Sequence, residues 1–409
     1  MKYFFVLGAN PTLSLAELAA VFNNGKFSLV QKNITILETD QKIEANVIKK
    51  IGGTIKFGKI HSELASLDTK DILKTAASFA KPEKIETKFK FGISFYGKAK
   101  INLKVLGMEF KKLLKQSGIH SRWVTSREPT LSSVVVEQNN LATDKGVEIV
   151  IIQFDKKLFL GKTTAVQPFK ELSFRDYGRP ARDDYSGMLP PKLAQIMINL
   201  AVTPPLTKGA EGILQPTILD PFCGSGTILT EAMLMGYRNL VGSDISSKAI
   251  ENTRKNIDWI KNNFQLPIAN FQLININAAQ ISKQLPPNSV DAIITEPYLG
   301  PQRGKLETEK IIKELESLYS RSLIEFKKIL KPNGRIVMVW PVFNLSLRGA
   351  DRRRSNLAYV NPQLNNFQIV NLIPSDLQSN PFINLTARQT IVYGRENQKV
   401  WREIVILSK

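Results

Sequence analysis

Thr217 to Asp244, TILDPFCGSGTILTEAMLMGYRNLVGSD, constrains the fold more than any other stretch of the chain. An apolar run ending in Ile218 and Leu219 leads into Asp220 and Pro221, then Phe222, Cys223, Gly224, Ser225, Gly226 and Thr227. An apolar helical segment follows, with Ile228, Leu229, Ala232 and Met235 on one side, and Leu240 to Ser243 reads as a second strand ending at Asp244. Strand, glycine turn, helix, strand, acid is the first unit of a doubly wound nucleotide-binding sheet. The expected class is α/β, with a Rossmann-like domain at its centre.

Each residue type has a task in that turn. Gly224 and Gly226 allow a tight turn and leave no Cβ between backbone and ligand. Asp244, at the end of the second strand, can accept both ribose hydroxyls. Asp220 would repel a pyrophosphate but attract an ammonium, and Leu229 stands where the third glycine of a dinucleotide turn would be. S-adenosylmethionine, an adenosine carrying an amino acid in place of a diphosphate, fits both departures. The candidate cofactor residues are Asp220, Phe222, Gly224, Gly226, Thr227 and Asp244. Asn277, after a third strand at Phe271–Ile276, offers Oδ1 to the adenine amino group. The bland alternative is an ordinary βαβ turn with a capping Asp.

A second turn carries chemistry. Ser289 to Ile294 reads as a fourth strand and runs into Thr295-Glu296-Pro297-Tyr298. The carboxyl end of such a strand is where open α/β sheets bind ligands. Methylating an exocyclic amine requires acceptors around the NH2 and a stacked base, because the nitrogen lone pair is delocalised into the ring. Tyr298 is placed for stacking and Pro297 for rigidity. Glu296 offers a carboxylate, and Thr295 its hydroxyl and carbonyl oxygens. An apolar strand ending in a proline turn is the competing reading. A helix is expected over Lys305–Leu330, stopped by Pro332 and Gly334. Arg335–Trp340 would be a fifth strand, with a terminal antiparallel pair at Ile391–Gly394 and Val400–Leu407.

A chain of 409 residues suggests two or three domains. Lys plus Arg number 56 against 36 acids, a net charge of +20, which suggests a polyanionic partner. The excess is concentrated in residues 81–130, with twelve basic and four acidic side chains (Glu83, Glu86, Glu109 and Glu128), a net of +8. Lys81 and Lys84 begin that run. A strand at Phe89–Tyr96 and a helix at Ile101–Gln116 lie within it. Leu103, Leu106, Phe110, Leu113 and Leu114 form the helix's buried stripe, and Lys104, Lys111 and Lys115 face solvent. Val147–Phe154 and Leu158–Val166 read as a hairpin. Near the N-terminus, Tyr3–Leu7 and Ile34–Leu37 are strand candidates, Ser14 and Glu17 have capping-box spacing, and Glu44–Ile51 looks helical. The expected domains are an α+β region at 1–60, a basic RNA-binding domain at 61–166, a polar linker at 167–184 and the Rossmann-like domain at 185–409. Pro190 and Pro191 open a helix, striped by Leu193, Ile196, Met197 and Leu200, that could close the methionine end of the pocket. One cysteine, Cys223, allows no intrachain disulfide, and two histidines, His61 and His120, allow no His-based metal centre. No metal is called for. No apolar run approaches membrane-spanning length, and the N-terminus lacks a signal-peptide pattern, so a soluble cytoplasmic protein is expected.

The chain resembles the THUMP-domain tRNA methyltransferases, in particular the archaeal and eukaryotic enzymes that methylate N2 of guanosine 10. The resemblance runs through YFFVLGANPTLSLAEL, the basic middle, SGMLPPKLAQIMINLA, LDPFCGSGTIL and the EPYLG turn, nearly the whole chain. It implies an N-terminal ferredoxin-like region, a THUMP domain gripping tRNA, and a Rossmann-like methyltransferase domain using S-adenosylmethionine. It further implies that Asp220, Gly224 and Gly226 hold the methionine part and Asp244 the ribose. Eukaryotic relatives use a small activator protein; no docking surface for one is legible here. The family pattern at the catalytic turn is Asp-Pro-Pro-Tyr, whereas this chain has Thr295-Glu296-Pro297-Tyr298, with the acid moved by one position. Two other readings stay open: a DNA adenine-N6 or cytosine-N4 methyltransferase, and a non-catalytic RNA-binding protein with a methyltransferase fold. Arg348, Arg352, Arg353 and Arg354 are RNA contacts or loop decoration.

Overall fold

The computed structural model describes the chain except residues 66, 81, 83–87, 183–187, 203–214, 265, 267, 268, 302–306, 345–356 and 395–397. The expectations attached to Lys81, Lys84, Glu83, Glu86, Asp183, Asp184, Ser186, Gly187, Lys305, Arg348, Arg352, Arg353 and Arg354 lie outside the described residues.

The described residues form two mixed sheets flanked by helices. The first sheet holds β1 (Lys2–Leu7), β2 (Lys26–Gln31), β3 (Ile34–Glu38), β4 (Thr54–Leu64), β5 (Phe89–Tyr96), β6 (Ser121–Val124), β7 (Ala142–Thr143), β8 (Gly146–Phe154) and β9 (Lys157–Val166). Their order is β2-β3-β1-β4-β9-β8-β5-β6, with β7 on β8. The boundary expected at 60/61 therefore falls inside β4, which pairs with β1 on one side and β9 on the other. The β8–β9 hairpin turns at Asp155, whose φ of +53° is a left-handed conformation that Asp tolerates. Helices α1 (Pro11–Val21), α2 (Thr69–Phe79), α3 (Leu103–Gln116) and α4 (Ser133–Gln138) accompany this sheet. On α3, Leu106, Phe110 and Leu114 are buried while Lys104, Lys111 and Lys115 are exposed.

The cap of α1 lies four residues before Ser14, the first residue of the expected capping box. Asn10 is its cap, accepting from the Leu13 N–H at 3.0 Å, and Pro11 occupies the first turn, where an N–H is not needed. Glu17 instead accepts from the N–H groups of Gly52 and Gly53 and from Asn199 Nδ2, at 2.8, 2.7 and 2.7 Å. Burial pushes its carboxyl up to about 7 against those three hydrogen bonds.

The segment expected as a polar linker contains a nine-residue helix, α5 (Phe169–Tyr177). Its buried arginine hid it, since Arg175 reads as a surface residue in sequence. Arg175 forks onto the buried Glu231, with Nε at 2.7 Å and Nη2 at 3.1 Å. α6 (Pro191–Ala201) packs between α1 and α7 (Thr227–Met235). Asn199 reaches Glu17, and Gln195 donates to Glu231 at 2.9 Å and to the Lys49 carbonyl at 3.2 Å. α6 thus joins the two halves. One apolar core runs from Tyr3 and Phe57 through α6 to the second sheet.

The second sheet holds β10 (Thr217–Asp220), β11 (Asn239–Asp244), β12 (Asn270–Asn275), β13 (Val290–Thr295), β14 (Leu330–Asn344), β15 (Leu357–Tyr359), β16 (Gln368–Ile369), β17 (Ile391–Tyr393) and β18 (Val400–Ser408). The order is β12-β11-β10-β13-β14-β18-β16. The first five strands are parallel, and β18 returns antiparallel along β14 and carries β17. α8 (Ser247–Asn263) and α9 (Thr308–Ile329) complete the wrapping. β14 is much longer than expected. It starts at Leu330, and a register shift between Val290 and Ala292 of β13 absorbs Pro332 and Gly334. Among the described residues, no helix is long and apolar enough to cross a membrane.

Candidate active site

Strand order reverses between β10 and β13, the switch point where a crevice opens outside the carboxyl ends of the strands. Asp220 ends β10, Asp244 ends β11 and Thr295 ends β13, so the two turns singled out in the sequence meet there.

The glycine turn is held from inside. Cys223 N–H donates to the Ser243 carbonyl at 2.9 Å, and Gly226 N–H to the Cys223 carbonyl at 2.7 Å. Gly224 and Gly226 have φ of +52° and +81°. A Cβ at Gly226 would lie 2.8 Å from Thr253 Cγ2, whereas one at Gly224 would meet nothing within 4 Å. Gly226 therefore serves packing and Gly224 leaves an open approach to the backbone. From α8, Thr253 Oγ1 donates to the Gly224 carbonyl at 2.9 Å, and Asn256 Nδ2 to the Ser225 carbonyl at 2.8 Å.

Asp244 is half-buried. Its Oδ2 accepts from Gly224 N–H at 3.0 Å and its Oδ1 from Ser246 N–H at 2.9 Å. Each oxygen retains a lone pair for a further donor. Asn275 Nδ2 donates to the Asp244 and Ile245 carbonyls, both at 2.9 Å, bracing a loop on which Ile245 is 72 % exposed. Asn277 caps a short 3-10 turn, its Oδ1 accepting from Ala279 N–H at 2.9 Å, so one lone pair is already engaged. Thr227 is buried, and its Oγ1 accepts from Arg179 Nη1 at 2.6 Å. Phe222 is half-buried and donates its N–H to Asp220 Oδ1 at 3.2 Å.

Asp220 is 2 % exposed and also accepts from Thr295 Oγ1 at 2.7 Å. Burial pushes its carboxyl up to about 7; the Thr295 and Phe222 hydrogen bonds oppose this, and the charges of Asp244 and Glu296 add to it. Among the described residues no cationic side chain pairs with Asp220. A buried acid beside two others is the setting a cationic ligand relieves.

The Thr295–Tyr298 turn is fixed at three points. Thr295 is fully buried and its hydroxyl, offered to a substrate in the sequence reading, donates to Asp220. Arg402 Nε, from β18, donates to Glu296 Oε1 at 2.5 Å. Tyr319 hydroxyl, from α9, donates to the Tyr298 carbonyl at 2.6 Å. Pro297 is buried, and Tyr298 is 58 % exposed. Sequence reasoning missed Arg402, Tyr319, Thr253, Asn256, Asn275 and Ile245. Only Ile245, an apolar residue directly after the acid, carried a local signal.

Fold and site together define a Rossmann-like methyltransferase. A family model described as DNA methylase matches residues 32–255, more than half of the chain, and one described as RMKL-like, methyltransferase domain matches residues 179–357. The chain belongs to the family that the first of these models describes, and its residues 179–357 are similar to the second. The first match stops before the Thr295–Tyr298 turn; the second contains both turns. The tRNA (guanine(10)-N2)-dimethyltransferase of Methanothermobacter thermautotrophicus is 30 % identical over 218 residues, 52 % of this chain and 57 % of that protein. Its namesake in Methanocaldococcus jannaschii is 30 % identical over 193 residues, 45 % and 48 % of the two chains. The chain thus spans about half the length of these curated relatives. The crystal structure of TrmN from Thermus thermophilus superposes with a TM-score of 0.50 at 17 % identity over the full length of both chains, which shows the shared fold.

Proposed function

We propose that the chain transfers methyl groups from S-adenosylmethionine to the exocyclic N2 amine of a guanine in tRNA. The observation that carries this reading is the meeting of Asp220, the open Gly224 turn and Asp244 with the Thr295–Tyr298 turn at one sheet edge. Similarity to two tRNA (guanine(10)-N2)-dimethyltransferases supports the substrate class and position 10 as its site. The basic first sheet, with its exposed α3 lysines, suits the tRNA backbone.

The residues present fit the cofactor. Asp220 would face the cationic methionine end, Gly224 leaves room beside it, Asp244 has lone pairs for ribose, and Ile245 gives the adenine an apolar surface. Bound there, the cofactor supplies a sulfonium methyl: the amine lone pair forms the N–C bond as the C–S bond breaks, and an amine proton passes to water. Tyr298 stacks on the base, Pro297 keeps the turn rigid, and Glu296 accepts an amine N–H so that the lone pair faces the methyl.

Asp220 gives a pH prediction. At pH below about 7 the buried carboxyl holds a proton that an ammonium must displace. Cofactor affinity should therefore fall as pH drops through about 7, approaching roughly tenfold per unit, with proton release on binding. In the ligand-free chain the same group contributes stability below its unfolded value of 3.8 and loses it as pH rises to about 7. Calorimetry in buffers of different ionisation enthalpy measures the first effect; flat affinity from pH 5.5 to 7.5 would contradict it.

The match to the DNA methylase model supports a second reading, methylation of an exocyclic amine in DNA. Labelled cofactor offered with unmodified tRNA and duplex DNA in separate reactions discriminates. Label in tRNA alone is expected; label in DNA alone would favour the second reading.

A further inference from the structure

Glu296 faces a cation from the far end of the chain. Arg402 Nε lies 2.5 Å from Oε1 and Nη2 lies 3.5 Å from Oε2, and the two side chains are only 16 % and 13 % exposed. The topology explains the reach. Thr295, last in β13, sits beside Met338 of β14, and Met338 sits opposite Val405 of β18. Arg402 is opposite Pro341, further along β14, beyond the point where β13 has ended. It therefore stands at the ligand edge of the sheet and reaches over β14 to the turn. Burial would lower the guanidinium's pKa, but Glu296's charge and hydrogen bond outweigh it and raise it. A buried ion pair is weak evidence for stability and better evidence for a fixed geometry. A guanidinium fork sets the plane of a carboxylate as an ammonium cannot.

We propose that Arg402 is the positioning residue that fixes Glu296 as the acceptor for the methylated amine. This rests on the proposed methyl transfer. The short Nε contact anchors Oε1, and Oε2, with its long contact, is the oxygen turned to the amine N–H. With that N–H held, the lone pair forms the N–C bond as the C–S bond breaks, and a proton leaves to water.

The test is methyl transfer to tRNA at one fixed pH with wild type, Arg402→Gln, Arg402→Lys, Glu296→Gln and the double variant Arg402→Gln/Glu296→Gln. Arg402→Gln should lower kcat roughly hundredfold, the cost of misplacing a reacting group by about 1 Å. Its KM for cofactor should stay unchanged. Arg402→Lys should recover only part of kcat, because an ammonium lacks the planar fork. Glu296→Gln should lose as much kcat as Arg402→Gln, and the double variant no more. Should Arg402→Gln not fold, Arg402→Lys still reads the kcat loss at unchanged cofactor affinity. Wild-type kcat in both Arg402 variants would overturn the assignment, as would a raised KM for cofactor in a folded Arg402→Gln or a further kcat loss in the double variant. No transfer by wild type would instead sink the proposed function, and this inference with it.

Discussion

Replacing Glu231 with alanine is expected to lower stability by about 3–5 kcal/mol, the cost of leaving a buried charge without its partner. Glu231 is 1 % exposed and Arg175 is 5 % exposed, and the two form a forked pair. Gln195 completes the set, so the residue ties α5, α6 and α7 together. Alanine strands the guanidinium in the interior and frees the Gln195 amide. A urea titration followed by fluorescence of Trp259 and Trp340 should show a clear fall in midpoint. Arg175→Met combined with Glu231→Leu should recover much of the loss, since an apolar pair leaves no charge to satisfy. A midpoint unchanged in Glu231→Ala would mean that α5 is not held by this pair.

Tyr298→Ala is expected to cost about 1–3 kcal/mol of transition-state stabilisation, the usual worth of one base stacked on an aromatic ring. That is roughly 5- to 150-fold in kcat/KM for tRNA. The ring is largely exposed, and the contact that holds the turn uses the Tyr298 backbone carbonyl, so the turn should survive truncation. Cofactor affinity should stay the same, and Tyr298→Phe should behave nearly as wild type because stacking needs the ring and not the hydroxyl. Full activity in the alanine variant would remove the stacking role.

The glycine turn and both acids were legible because their requirements are local: left-handed backbone at Gly224 and Gly226, and carboxylates at strand ends. β5 and the β8–β9 hairpin were legible for the same reason, through alternation and a turn residue. What sequence could not supply was pairing across the sheet. Thr295 and Asp220 are 75 residues apart, and Arg402 and Glu296 are 106 apart; no local pattern marks either contact. α5 and the junction with α6 were missed because they use buried polar pairs, Arg175 with Glu231 and Asn199 with Glu17, where apolar periodicity is the usual signal. The capping box misled because Glu17 satisfies the N–H groups of a distant loop and not those of its own helix.

The most direct test of the proposed chemistry is nucleoside analysis of unmodified tRNA after incubation with the wild-type chain and S-adenosylmethionine. N2-methylguanosine or its dimethyl form is the expected product, mapping to position 10. Unmethylated tRNA, recovered under conditions where the chain binds both tRNA and cofactor, would contradict methyl transfer to a tRNA amine.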